Sequence, residues 1–340
     1  MKLTICALFL LAAPIAHAGL GKYPSLIVAD KDPSAPPPGN TIRVTYLGVN
    51  GFQFETGKHT LLVDPYFTRV GFWPAALNQR IESNPQRVSE GLKHVCPHVE
   101  AILVTHAHFD HLLDVPDIAK QTGARIFSGP TAIQLVESLG ISPNQCETVQ
   151  PGSTRAISPW TIRVLKAQHD RLFGKVPFER CRHFASDHFS GREGPRTPGE
   201  IEKPLKLPVK ASDWCVGEPL AFLIEAAGKR IYIDSGGVPG TPPIVELGHV
   251  HHGEFVPWHI DLAILGVALP DSRARFAEVV RQLGPRYIFP SHEDDMFARF
   301  ARGFHFGKLT KFSWLVHEHG KEHLPGHLIL LDYFQPWTLR

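Results

Sequence analysis

Short apolar runs, several of them closed by a histidine or an aspartate, recur along this 340-residue chain. Ile42-Arg43-Val44-Thr45-Tyr46-Leu47, Gly51-Phe52-Gln53-Phe54-Glu55-Thr56 and Thr60-Leu61-Leu62-Val63-Asp64 alternate or run apolar between turn residues, which predicts three antiparallel strands. Val99-Glu100-Ala101-Ile102-Leu103-Val104 is branched and almost uncharged, the pattern of a strand buried on both faces. Leu113 to Thr122 predicts a helix, Ala124 to Phe127 a strand and Pro130 to Leu139 a second helix. Strands follow at Glu147 to Val149 and Thr161 to Ala167, then a hairpin of Leu220 to Glu225 with Lys229 to Asp234. Ile260 to Leu265, Tyr287 to His292 and His327 to Leu331 predict further strands, and Ser272 to Leu283 an amphipathic helix. Strand alternating with helix predicts a layered α/β domain over 42–340.

The ends of these runs carry the chemistry. Thr105-His106-Ala107-His108-Phe109-Asp110-His111 follows the buried strand. On an extended segment His106 and His108 point the same way, about 7 Å apart, and suit one ion. Asp110 and His111, beyond the turn, face a second. His169 ends the 161–167 strand and is the natural third ligand of the first ion, while His292 completes the ligand set of the second ion beside Asp110 and His111. Asp234 ends its hairpin, and a carboxylate can bridge two cations about 3.5–4 Å apart. Imidazole and carboxylate suit two divalent ions, zinc foremost, with iron or manganese possible, whereas calcium and magnesium favour oxygen alone. Asp64 closes the third strand before Pro65, either as a hydrogen-bond acceptor that orients a ligand histidine or as a turn-initiating Asp-Pro.

Composition adds a compartment. Residues 1–18 hold one lysine, an apolar core and an Ala16-His17-Ala18 ending, the pattern of a secretory signal cleaved after Ala18. Its apolar part is too short for a bilayer of ~30 Å, so the expected location is periplasmic or secreted, without stable membrane insertion. Formal net charge is +2, or +1 once Lys2 is removed (2 − 1), which gives no basic patch for nucleic acid. The expected partner is a small-molecule or lipid-like substrate. Cys96, Cys146, Cys181 and Cys215 remain; a Cys181–Cys215 bridge would stabilise by roughly 3–4 kcal/mol, with buried thiols the alternative.

Residues 19–41, rich in Pro and Gly, predict an extended surface arm. The aromatic connection from Tyr66 and Phe67 through Trp73 is a candidate wall of a substrate pocket. Insertions at 171–219 and 238–259 break the periodicity, and the first reads as a lid. His94 and His98 flank Cys96-Pro97 without a fourth ligand in reach; His249, His251, His252 and His259 are expected to be exposed or pocket-lining.

Over most of residues 42–292, the His106-Ala107-His108-Phe109-Asp110-His111 motif followed by His169, Asp234 and His292 resembles the metallo-β-lactamase superfamily. The resemblance implies a four-layer αβ/βα sandwich with a dinuclear site at one edge of two facing sheets. His106, His108 and His169 would then bind one metal, Asp110, His111 and His292 the other, and Asp234 both. Val44 to Gly48, Leu62 to Pro65 and the hairpin into Asp234 look most like the branch of ascorbate-phosphate lactonases and N-acyl-phosphatidylethanolamine phospholipase D. Asp234 argues against a β-lactam-hydrolysing enzyme, and His108 against an iron-dependent redox enzyme of this fold, the two alternatives. The expected activity is hydrolysis of an ester, lactone or phosphodiester by hydroxide shared between two metals, with Asp110 aligning it and shuttling its proton.

Overall fold

A computed structural model of the chain describes residues 19–33, 35, 37–169, 207–235, 247–251, 254–268, 270–308 and 310–340. The strands are β1 (Ile42–Gly48), β2 (Gly51–Thr56), β3 (His59–Val63), β4 (Arg80–Ile81), β5 (Ala101–Leu103), β6 (Arg125–Ser128) and β7 (Cys146–Thr148), then β8 (Thr154–Ile157), β9 (Trp160–Lys166) and β10 (Val209–Lys210). They continue with β11 (Leu220–Ala226), β12 (Lys229–Asp234), β13 (Gly248–His251), β14 (Glu254–Pro257), β15 (Leu262–Gly266), β16 (Tyr287–Ser291), β17 (His327–Leu328) and β18 (Pro336–Leu339). The helices are α1 (Phe72–Ala76), α2 (Pro85–Leu92), α3 (Phe109–Leu112), α4 (Val115–Thr122), α5 (Pro130–Ser138), α6 (Pro270–Leu283) and α7 (Phe312–Lys321).

Two mixed sheets form, in the orders β18-β1-β2-β3-β5-β6-β7 and β17-β16-β15-β12-β11-β9-β8. Side-chain parity shows how they stack. Leu61, Val63, Ala101 and Leu103 pack into the same core as Phe222, Ile231, Ile264 and Phe289 of the other sheet. Their neighbours Leu62 and Ile102 point the other way, onto Ile118 and Val136 of α4 and α5. Both faces of β3 and β5 are therefore covered, which is why these strands read as unbroken apolar runs. Tyr46 and Phe52 meet Phe289 across the interface at ring distances of 5.0 and 5.2 Å. Phe276, Val279 and Leu315 of α6 and α7 join the first core, so helix, sheet, sheet and helix form four layers.

Local chemistry sets the helix ends. Asn84 caps α2 by accepting the Arg87 N–H, and Gly123, at φ +74°, ends α4 in the left-handed region.

Several expectations change. The segment over 19–41 is not simply extended: Leu20–Lys22 and Pro24–Leu26 form 3₁₀ turns, Leu20 enters the core, and Val28 N–H bonds the Leu330 carbonyl. Buried Leu20 explains this, since an apolar residue beside an open core is driven in. Residues 171–206 of the expected lid lie outside the described residues, but 207–219 belong to the domain body. There β10 pairs with β4, and Trp214 and Cys215 are buried among α2 and α4. Within 238–259, β13 and β14 form a hairpin. Strands β4, β8, β10 and β18 were not legible as apolar runs; β18 closes the first sheet against β1.

Candidate metal centre

In both sheets parallel strands end together: β3, β5 and β6 in one, β12, β15 and β16 in the other. Ligand-type side chains that follow such strands gather outside their carboxyl ends. Asp64 follows β3, Thr105 and His106 follow β5, His169 follows β9, Asp234 ends β12 and His292 follows β16.

Two trios result. The donor atoms of His106, His108 and His169 lie within 4.8 Å of one another, and so do those of Asp110, His111 and His292. His106 Nε2 is 3.0 Å from His108 Nδ1; His292 Nε2 and His111 Nε2 stand 3.1 and 3.3 Å from Asp110 Oδ2. The trios touch through His106 and His111, whose ring centroids are 4.0 Å apart. His106 and His108 do not achieve this from one strand face. β5 stops at Leu103, and the loop beyond it folds both rings towards one point.

Buried hydrogen bonds fix the rings. His111 Nδ1 donates to Asp64 Oδ2 at 2.9 Å, which leaves Nε2 facing Asp110. Asp64 also accepts from the Thr105 N–H (2.8 Å), Thr105 Oγ1 (2.6 Å) and Asn50 Nδ2 (2.9 Å). Of the two roles open to Asp64, the geometry carries the contact to a candidate ligand. Thr105 Oγ1 (3.1 Å) and Ser235 Oγ (3.5 Å) stand at His106 Nδ1 and bond each other. Ser291 Oγ donates to Asn50 Oδ1, and His292 N–H to the Val49 carbonyl at 2.7 Å, so the turn between β1 and β2 grips the strand end that carries His292. Asn50, Thr105, Ser235 and Ser291 were missed in sequence; Asn50-Gly51 reads only as a turn.

The donor set fits divalent transition metals. Burial, then neighbouring histidines, hold His106 and His108 well below the usual imidazole range, so both are neutral and can donate a lone pair. Burial works against ionised Asp110, yet His111 and His292 overcome it and keep the carboxyl well below its ordinary value. Burial likewise opposes a proton on His111, but Asp110 and Asp64 push its pKa up to about 10. Positive charge is thus favoured beside Asp110 and Asp64.

Asp234 is fully buried at the end of β12 and accepts from Tyr232 Oη at 3.3 Å, but it stands outside both trios. Tyr66 and Phe67, expected in a pocket wall, are 0% and 1% exposed. Tyr66 Oη accepts the Val70 N–H, and Phe67 packs on Gly91, where a Cβ would lie 2.3 Å from its ring. Aromatic density marked the segment but not which way each ring turned; Trp73 alone of the three is exposed, at 67%. His94 stacks on Phe334 at 4.1 Å, and His259 is exposed beside Asp261. Cys215 is disulfide-bonded, whereas Cys96 and Cys146 are thiols. Cys181 and His252 lie outside the described residues.

A model of the beta-lactamase superfamily domain matches residues 59–233. Among curated proteins, a UPF0173 metal-dependent hydrolase of Oenococcus oeni is 30% identical over 130 residues, 38% of this chain and 49% of the relative. One of Rubrobacter xylanophilus is 26% identical over 253 residues, 74% of this chain and 81% of the relative. The chain spans 49%, 62% and 48% of the length of three such relatives. Igni18, a metallo hydrolase from Ignicoccus hospitalis, has a similar structure, with TM-score 0.53 and 15% identity, covering 88% of this chain and 99% of that one. An isothiocyanate hydrolase from Delia radicum gut bacteria gives TM-score 0.52 at 16% identity, covering 88% and 98%.

Proposed function

The chain belongs to the beta-lactamase superfamily and has the metallo-β-lactamase fold; on that premise we propose that it is an exported metal-dependent hydrolase of esters, lactones or phosphodiesters. The reading rests above all on the contact of the two trios through His106 and His111 at 4.0 Å. His106, His108 and His169 would hold one divalent cation and Asp110, His111 and His292 another, with Asp234 shared. Zinc is the first choice, and iron or manganese fit the same donors. Two such cations, when bound, would lower the pKa of a bound water towards the neutral range and would polarise the oxygen under attack.

The chain's own residues do the rest. Thr105 and Ser235 turn His106 so that Nε2 faces inward, and Asp64 does the same for His111. Asp110, 5% exposed and kept ionised by its histidines, presents a carboxylate oxygen that accepts a proton and delivers it to the leaving group. The order of ligands along the chain and the presence of Asp234 support a place in the lactonase and phospholipase D-like branch.

Export is supported by the 1–18 pattern and by the disulfide at Cys215, since disulfides persist in oxidising compartments. Amino-terminal sequencing of the mature protein is expected to start at Gly19. The activity test is removal of metal by chelator and assay of generic esters, lactones and bis(p-nitrophenyl) phosphate. Hydrolysis is expected to vanish with the metal and return with zinc; turnover that survives complete removal defeats the proposal.

A further inference from the structure

Beside the His292 segment lies a cavity of about 650 Å³, within the span of roughly 300–1,000 Å³ usual for small-molecule sites. One wall is cationic. Arg69, Arg87, Arg299 and Arg302 line it against a single carboxylate, Asp295. Arg69 is neutralised by Asp294 at 2.7 Å, whereas the Arg87 guanidinium bonds, among the described residues, only the Thr68 and Arg69 carbonyls. Among the described residues no carboxylate pairs with Arg87, Arg299 or Arg302.

The other wall is apolar. Phe72, 52% exposed, meets Phe297 edge-on at 5.3 Å and exposed Trp73 at 5.3 Å. Apolar side chains this open beside unpaired guanidiniums make a surface that is two-sided in chemistry. Arg69 itself is wholly buried against Asp294 and Phe300, so the guanidiniums open to a ligand are those of Arg87, Arg299 and Arg302.

We infer that this cavity binds an amphiphilic anion, a phosphate or carboxylate head seated among the arginines with an aliphatic or aromatic body on Phe72 and Phe297. Guanidinium forks recognise such heads with paired N–H donors, and the flat aromatic faces cover the body. Asp294 and Asp295 directly follow Glu293 and His292, so the cavity wall and the second trio share one segment. As a substrate subsite the cavity rests on the hydrolase reading; as a binding site it does not.

Calorimetry on the zinc-loaded full chain tests it with octyl phosphate, octyl glucoside and inorganic phosphate as probes. Octyl phosphate is expected to bind one to one, about tenfold more tightly than either of the others. Arg299→Gln/Arg302→Gln and Phe72→Ser should each weaken it about tenfold with unchanged metal content. Equal affinity in wild type and variants, or octyl glucoside or inorganic phosphate binding as tightly, overturns the inference. So does sedimentation with phosphatidylglycerol vesicles without binding of octyl phosphate, which would assign the surface to a membrane. Octyl phosphate binding in a protein that hydrolyses nothing would uphold the site and count against the proposed function alone.

Discussion

His111 Nδ1 lies 2.9 Å from Asp64 Oδ2 with both side chains shut off from solvent, so a carboxylate at the end of β3 holds a ring 47 positions later in the chain. The same carboxylate gathers Thr105 and Asn50, and through them reaches both trios.

Asp64→Ala should therefore lower metal affinity at the His111 trio by roughly 10–100-fold, as loss of a partner behind a ligand does. Asp64→Asn, which keeps one acceptor oxygen, should lose less. Chelator competition with metal analysis reads this directly. Affinity equal to wild type in both variants would reduce Asp64 to a turn residue.

Asp234→Asn addresses the proposed bridge. The variant keeps its shape and its contact with Tyr232 but loses a charge, so at least one metal and most turnover should go. Unchanged metal content together with an unchanged rate would rule out sharing by Asp234.

Arg69 and Asp294 form a wholly buried ion pair, with Val49 N–H and Tyr333 Oη also donating to Asp294 and the Arg69 guanidinium 4.3 Å over the Phe300 ring. Arg69→Met leaves the Asp294 charge uncompensated and should cost about 3–5 kcal/mol in urea unfolding. Arg69→Met/Asp294→Leu should recover part of that loss. Gly48 lies against the pair at φ +89°, where a Cβ would fall 1.7 Å from Arg69 Nη2. Gly48→Ala should therefore also destabilise, by about 1–3 kcal/mol. A double variant less stable than Arg69→Met would show that the buried charge is not the cause.

Burial, and then the Glu55 carboxylate that accepts from Sγ at 2.6 Å, push the Cys96 thiol up to about 12. At pH 8 the thiolate fraction is then roughly one in ten thousand. Iodoacetamide should label Cys96 very slowly at pH 8 and faster as pH rises towards 12. Glu55→Gln removes a charge that opposes the thiolate, so the whole profile should move to lower pH. Mass-spectrometric rates that are the same in both proteins would contradict this account.

How much of the site could be read in advance depended on the residue. His106, His108, Asp110 and His111 stand together in sequence, and His169 and His292 each follow an apolar run, so all announced themselves. Asn50 did not, because its part in the site exists only where the β1–β2 turn meets the end of β16. Arg69 carries no local signal either, since its partner Asp294 stands far away in sequence. Tyr66 and Phe67 show the opposite error, chemistry that looked like a pocket wall and proved to be packing.

Backbone preference and ligand chemistry depend on a residue and its near neighbours, so the amino-acid order alone determined the strands buried on both faces, the helices α4, α5 and α6 and the kinds of group available to hold a metal. Which distant groups meet depends on sheet order and on how two sheets stack, and these are settled by burying apolar area across the whole chain. Only the folded chain therefore decided that His106 and His111 stand 4.0 Å apart, that Asp64 lies behind His111, and that Asp234 is buried against Tyr232 at the end of β12.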